Sequence, residues 1–217
     1  MDTLLKKIIN ETVNQRFPEM STESRDLLCT IITRREMEKG ELLLKEGQVS
    51  RHFVIVGKGM VRQFYYKNGK DVTEHFSLES DVVICIESIL LQQPTRLMIE
   101  ALEAGTLYMI PADQFLKLSK ESWEINMFYR KMLEFSLILS QKKADSWRFE
   151  TARERYLRLM ADQPEVVQRA PLAHIASYLL MTPETLSRVR ATALQDEARK
   201  EGLETSQKGL ERAKEGL

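Results

Sequence analysis

The 217-residue chain is 43% hydrophobic and 29% charged, ordinary values for a globular protein. Its 32 Lys and Arg balance 32 Asp and Glu, which excludes a uniformly basic nucleic-acid binder but not a local basic face. No apolar run approaches the roughly 20 residues a membrane-spanning helix needs, and the charged MDTLLKKIINETVNQRF lacks signal-peptide form, so a cytoplasmic protein with no membrane partner is expected.

Leu4, Leu5, Ile8, Ile9 and Val13 recur at helical spacing up to Phe17-Pro18, and Ser21 is placed to cap a second helix carrying Leu27, Leu28, Ile31 and Ile32. From Glu38 the period changes. ELLLKEG reads as a short strand closed by a turn at Gly47, and HFVIVGKG as another. Asn68-Gly69 between VRQFYYK and KDVTEHFS predicts a type I′ hairpin, because both turn residues must take positive φ. Further strands are expected near 82–86, 97–102 and 106–110. Many short strands with frequent turns point to a β-sandwich or roll, and no Gly-rich phosphate loop opens a helix.

Past Pro111 the strand signal stops, and helices are expected over 112–118 and 121–147. In the longer one Ile125, Phe128, Met132, Phe135 and Leu139 step by three and four, a heptad seam that predicts a homodimer interface. The competing reading is one wide buried stripe in a monomer. Tyr129, Leu133 and Leu137 form a second apolar face. RFETARERYLRLMADQ then predicts a helix with Tyr156, Leu157 and Met160 inward. Its Arg153, Arg155 and Arg158 suit either phosphates or a solvated face paired with Glu150 and Glu154.

PLAHIASYLLMTPETLSRVR holds two short amphipathic helices. Leu172, Ile175, Ala176 and Leu179 line the first, the break falls at Leu180-Met181, and Thr182 caps the second with Pro183 at its first position. Leu186 and Val189 point inward, leaving Glu184, Thr185, Ser187, Arg188 and Arg190 outside. This is the pattern of a helix-turn-helix, in which an arginine takes guanine O6 and N7 and a carboxylate takes cytosine N4.

Cys29 and Cys85 lack CxxC spacing, and His52, His75 and His174 lack metal-ligand spacing. No nucleophile has an adjacent base, so no metal, no cofactor and no enzymatic activity are expected.

In this order of elements the sequence resembles the Crp/Fnr family of bacterial transcription regulators over about residues 20 to 190. The resemblance is carried by KGELLLKEG, HFVIVGKGMVRQFYYKNGK, RERYLRLM and the helix pair, the last close to the family's IASYLG(I/M)TPETLSR form. It implies an α+β protein: an N-terminal double-stranded β-helix (a jelly roll of cyclic-nucleotide-binding type), a long dimerisation helix and a C-terminal helix-turn-helix. The divisions expected are a sensor domain over 1–118, the dimerisation helix over 119–147, a DNA-binding domain over 148–191 and a tail over 192–217. DNA-contacting positions would be Thr182, Pro183, Glu184, Thr185, Ser187 and Arg188, with Arg190 on phosphate.

The implied effector pocket falls on Glu87, Ser88, Thr95 and Arg96. Ile86 stands where the family has Gly, and Thr95 where it has the phosphate-binding Arg, so cyclic AMP is not the expected ligand. Leu180 stands where the family's turn has Gly, and no strand-turn-strand wing follows Arg190. The expected function is a homodimeric, sequence-specific DNA-binding transcription regulator. Its partners would be double-stranded DNA, a second copy, an unidentified small-molecule effector and RNA polymerase. The alternative is a ligand-sensing or protein-interaction module with no competent DNA-reading head.

Overall fold

In the computed structural model, which describes residues 2–193, the chain divides into two compact units, the second beginning at Ser146. The first opens with α1 (Thr3–Asn14) and α2 (Thr22–Cys29). The Asp2 and Ser21 side chains cap their first turns by accepting from the Leu4 and Ser24 amides.

Eight strands follow: β1 (Thr33–Met37), β2 (Leu42–Leu44), β3 (His52–Lys58), β4 (Val61–Lys67), β5 (Lys70–Ser77), β6 (Val82–Val83), β7 (Met98–Ala101) and β8 (Gly105–Pro111). The one-turn-and-a-half helix α3 (Ile86–Leu91) sits between β6 and β7. The strands make two four-stranded antiparallel sheets, ordered β1-β8-β3-β6 and β2-β7-β4-β5. This is the expected β-roll. The β4–β5 hairpin closes with Lys67 opposite Lys70, and Asn68 (φ 52°) and Gly69 (φ 74°) both take positive φ.

β3 explains how two cores form from one strand. Val54 and Val56 point between the sheets, where they meet Val61, Val83, Ile99 and Leu107. Phe53 and Ile55 point the other way, against Ile8, Ile9 and Val13 of α1 and against residues of the helices that follow the roll. With both faces covered, the strand reads as the unbroken apolar run FVIV. Gly105 lets β8 approach β3, since a Cβ there would lie 1.9 Å from the Lys58 carbonyl oxygen.

α4 (Ala112–Glu121) and the long α5 (Trp123–Phe149) complete this unit, to which α5 belongs as far as Asp145. Here the predicted seam divides. Ile125 and Phe128 are fully buried and Met132 nearly so, packed with Phe53, Tyr108 and Phe115 in this chain's own core. They are therefore not available to a partner. Phe135 and Leu139 remain exposed, at 45% and 38%. Further along, the Lys143 ammonium lies 3.0 Å from the Glu74 carboxylate and also donates to the Glu74 carbonyl, tying α5 to β5.

The second unit holds α6 (Ala152–Asp162), α7 (Pro164–Arg169), α8 (Leu172–Tyr178) and α9, which runs over 183–193 to the end of the described residues. Thr151 and Glu154 form a reciprocal capping box at the start of α6. Tyr156 and Leu159 are the buried residues of α6, whereas Leu157 and Met160 are only half-buried. Thr192 and Ala193 continue α9, with Ala193 buried, so the expected tail does not begin at 192. Its remainder, including the Gly-Leu pairs at 202, 209 and 216, lies outside the described residues. Among the described residues no helix is long and apolar enough to cross a membrane.

Candidate functional site

The helix pair is built from α8 outward. Ile175, Ala176 and Leu179 are buried, and the chain leaves α8 through Leu180 at φ 51°. The Met181 amide bonds the Ala176 carbonyl (3.0 Å) and the Leu180 amide bonds the Ser177 carbonyl (3.1 Å). These two bonds are the Schellman pattern, with Leu180 in the left-handed position usually held by glycine. A leucine there costs about 1–2 kcal/mol, which the two satisfied carbonyls offset in part, and its side chain stays 47% exposed.

Thr182 then accepts from the Thr185 amide (3.2 Å) at the head of α9, and its carbonyl accepts from the Leu186 amide (2.9 Å). Leu186 is fully buried and anchors the helix. Thr182, Pro183, Glu184, Ser187 and Arg188 are exposed, while Thr185 and Arg190 are half-buried. Glu184 and Arg188 lie one turn apart. The Glu184 carboxyl is held below its ordinary value by its own backbone amide first, then by the Thr182 hydroxyl and the Arg188 cation. A carboxylate, a hydroxyl and a guanidinium thus share one solvent-facing strip.

The arginines of α6 act differently from one another. Arg155 donates through Nε to the Leu179 carbonyl (2.9 Å) and through Nη1 to the Glu150 carbonyl (2.7 Å), so it braces the helix-turn-helix from behind and does not face phosphate. Arg158 pairs with Glu150 at 3.3 Å. The signal for Arg155 was only its position on the buried edge of α6.

In the roll, the four predicted effector residues differ in exposure and bonding. Glu87 and Arg96 are exposed. Ser88 is buried, and its hydroxyl accepts from the Ser50 amide (2.9 Å) and donates to the Gln93 carbonyl (2.6 Å). The Thr95 hydroxyl accepts from the Leu97 amide (2.9 Å) and bonds the Cys85 thiol, whose pKa burial pushes up to about 11. Both hydroxyls are therefore braces of the 86–97 segment.

A cavity of about 330 Å³ lies elsewhere in the roll, lined by Arg35, Gln48, Ser50, Arg51 and His52 and by apolar side chains of both sheets. None of the four predicted residues lines it. On β5, His75 sits beside the Lys143–Glu74 pair, and burial first, then the Lys143 cation, lowers its pKa to about 4.

Residues 34–122 match the family described as the cyclic nucleotide-binding domain. Solved structures extend the likeness into the second unit. FixK2 from Bradyrhizobium japonicum is 19% identical with a TM-score of 0.68, over 77% of this chain and 86% of that one. A protein assigned to the Crp/Fnr family of transcriptional regulators, from Eubacterium rectale, is 15% identical with a TM-score of 0.62, over 82% and 85%. The chain has the Crp/Fnr fold. The c-di-GMP-responsive global regulator CLP of Xanthomonas campestris shares that fold at 14% identity and a TM-score of 0.65, over 82% of this chain and 93% of its own. No curated protein sequence is a recognisable relative.

Proposed function

We propose that this Crp/Fnr-fold protein is a homodimeric, sequence-specific DNA-binding transcription regulator, acting in the cytoplasm without chemistry of its own. The observation that carries the reading is α9. It is anchored by Leu186 and set by a fully bonded turn, and it presents Glu184, Ser187 and Arg188 to solvent. An exposed arginine at this place suits a bidentate pair with guanine, and Glu184 suits the cytosine amino group. Pro183, Thr185 and Thr182 flank that strip, and Arg190 suits a backbone phosphate. The intact turn at Leu180 argues against the alternative of a module that has lost its reading head.

Dimerisation rests on the outer half of α5. Phe135, Leu137, Ile138 and Leu139 are all exposed, and Leu137 reaches 71%. A helix with such a face needs a second surface to cover it, and a second copy would carry the same patch on a two-fold axis. The roll would serve as an effector domain that does not bind cyclic AMP. Thr95 and the exposed Arg96 leave no buried cation for a cyclic phosphate beside Glu87. RNA polymerase is the further partner this reading implies.

Capture of fragmented genomic DNA by the purified protein, followed by sequencing, tests the proposal. Enrichment of a pseudo-palindrome with half-sites about 10 base pairs apart is expected. Salt-sensitive retention without any enriched sequence would overturn it.

A further inference from the structure

A short non-helical break, Glu150-Thr151, joins α5 to α6. Phe149, the last residue of α5, is 79% exposed, so its side chain does not lock the break by apolar packing. Polar bonds hold it instead, and they converge on Glu150. The Glu150 amide donates to the Ser146 carbonyl (3.1 Å), closing the last turn of α5. The carboxylate accepts from the Ser146 hydroxyl of α5 (2.8 Å) and lies 3.3 Å from the Arg158 guanidinium of α6. The Glu150 carbonyl accepts from Arg155 (2.7 Å), whose Nε donates onward to the carbonyl of Leu179, the residue before the Leu180 turn.

Ser146 is only 2% exposed and the Glu150 side chain 28%, so these bonds are partly withdrawn from water. A hydroxyl bond to a carboxylate is also shorter and stronger than one to a neutral acceptor. A continuous run of bonds therefore leads from the last turn of α5, through Glu150 and Arg155, to the turn that starts α9. All of it lies in the second unit, which begins at Ser146. With dimerisation through α5, the distance and twist between two copies of α9 depend on the angle at which α6 leaves α5. DNA is exacting about both. One extra base pair between half-sites moves the second by about 3.4 Å and turns it by about 35°.

We infer that Glu150 is a positioning residue that sets the half-site spacing the dimer accepts, through the angle between α5 and α6. This role rests on the DNA-reading proposal and adds a second determinant of specificity to it. Glu184, Ser187 and Arg188 choose the bases, and Glu150, without touching DNA, chooses how far apart the two sets of bases stand.

Selection from random duplexes several helical turns long, with the full chain as bait, reads half-site and spacing together. The wild type should enrich one spacing at least about tenfold over those one base pair longer or shorter, the scale of one mismatched pair. Glu150→Ala should bring the three spacings within about threefold of one another, with base preferences inside each half-site unchanged. Ser146→Ala, which cuts only the α5 arm, should flatten the spacing preference in the same direction. Glu150→Gln, which still accepts from Ser146 and Arg158, should retain it. A stability defect alone would lower recovery of every spacing by one factor and leave their ratios as in the wild type. Wild-type ratios in Glu150→Ala and Ser146→Ala, or altered base preference inside the half-site of Glu150→Ala, would overturn the positioning role. Absence of any motif from the wild type would instead overturn the DNA-reading proposal, and this role with it.

Discussion

Replacing Arg155 with methionine should destabilise the second unit selectively. The guanidinium bonds the Leu179 carbonyl at 2.9 Å and the Glu150 carbonyl at 2.7 Å, joining the end of α5, the start of α6 and the turn before α9. Bonds from charged donors contribute about 1.5–3 kcal/mol each when buried. Arg155 is half-buried, and solvent screening reduces that to about 1 kcal/mol each. The expected loss is therefore about 2 kcal/mol, and Arg155→Lys, which keeps one bond, should recover about half of it. Trp147 belongs to the second unit and Trp123 to the first, so urea unfolding of Trp123→Phe and Trp147→Phe backgrounds reports each unit separately. A loss under about 0.5 kcal/mol, or an equal loss seen from Trp123, would refute the bracing role.

Three further outcomes follow from the geometry. Gly105→Ala drives a Cβ into the Lys58 carbonyl oxygen and should cost the first unit more than about 3 kcal/mol, whereas a melting temperature within about 2 °C of the parent would contradict the β3–β8 register. His75 is held at about 4, below the ordinary 6.5, so the unfolded chain binds more protons between those values. Stability should be full above pH 6.5 and fall by roughly 2–3 kcal/mol on acidification to pH 4, and His75→Gln should flatten that portion of the denaturation profile. In Leu180→Gly, relief of about 1–2 kcal/mol of left-handed strain opposes glycine's extra chain freedom, with little lost from a side chain already 47% exposed. The unfolding midpoint should shift by less than about 1 kcal/mol equivalent, and a gain above about 2 would show a turn more strained than its two hydrogen bonds indicate.

Local signals located most elements because each rests on backbone chemistry confined to a few residues. Asn68-Gly69 gave the hairpin through its need for positive φ, and Ser21 and Thr182 gave helix starts through a side-chain oxygen on an orphan amide. The α5 seam shows where periodicity stops being informative. A three-four spacing marks an apolar face but does not say whether Phe53 and Phe115 of the same chain or a second copy covers it. Likewise Ser88 and Thr95 have the right residue types for a ligand, and only the Gln93, Ser50 and Leu97 backbone groups reveal them as braces.

Whether α9 reads base edges is decided by parallel sequence selection with the wild-type chain and Arg188→Ala. A two-fold-related motif is expected for the wild type, and for Arg188→Ala the same motif with preference lost at one symmetry-related base pair, worth about 1–3 kcal/mol. An identical motif from both proteins, or none from the wild type, would contradict base reading by α9.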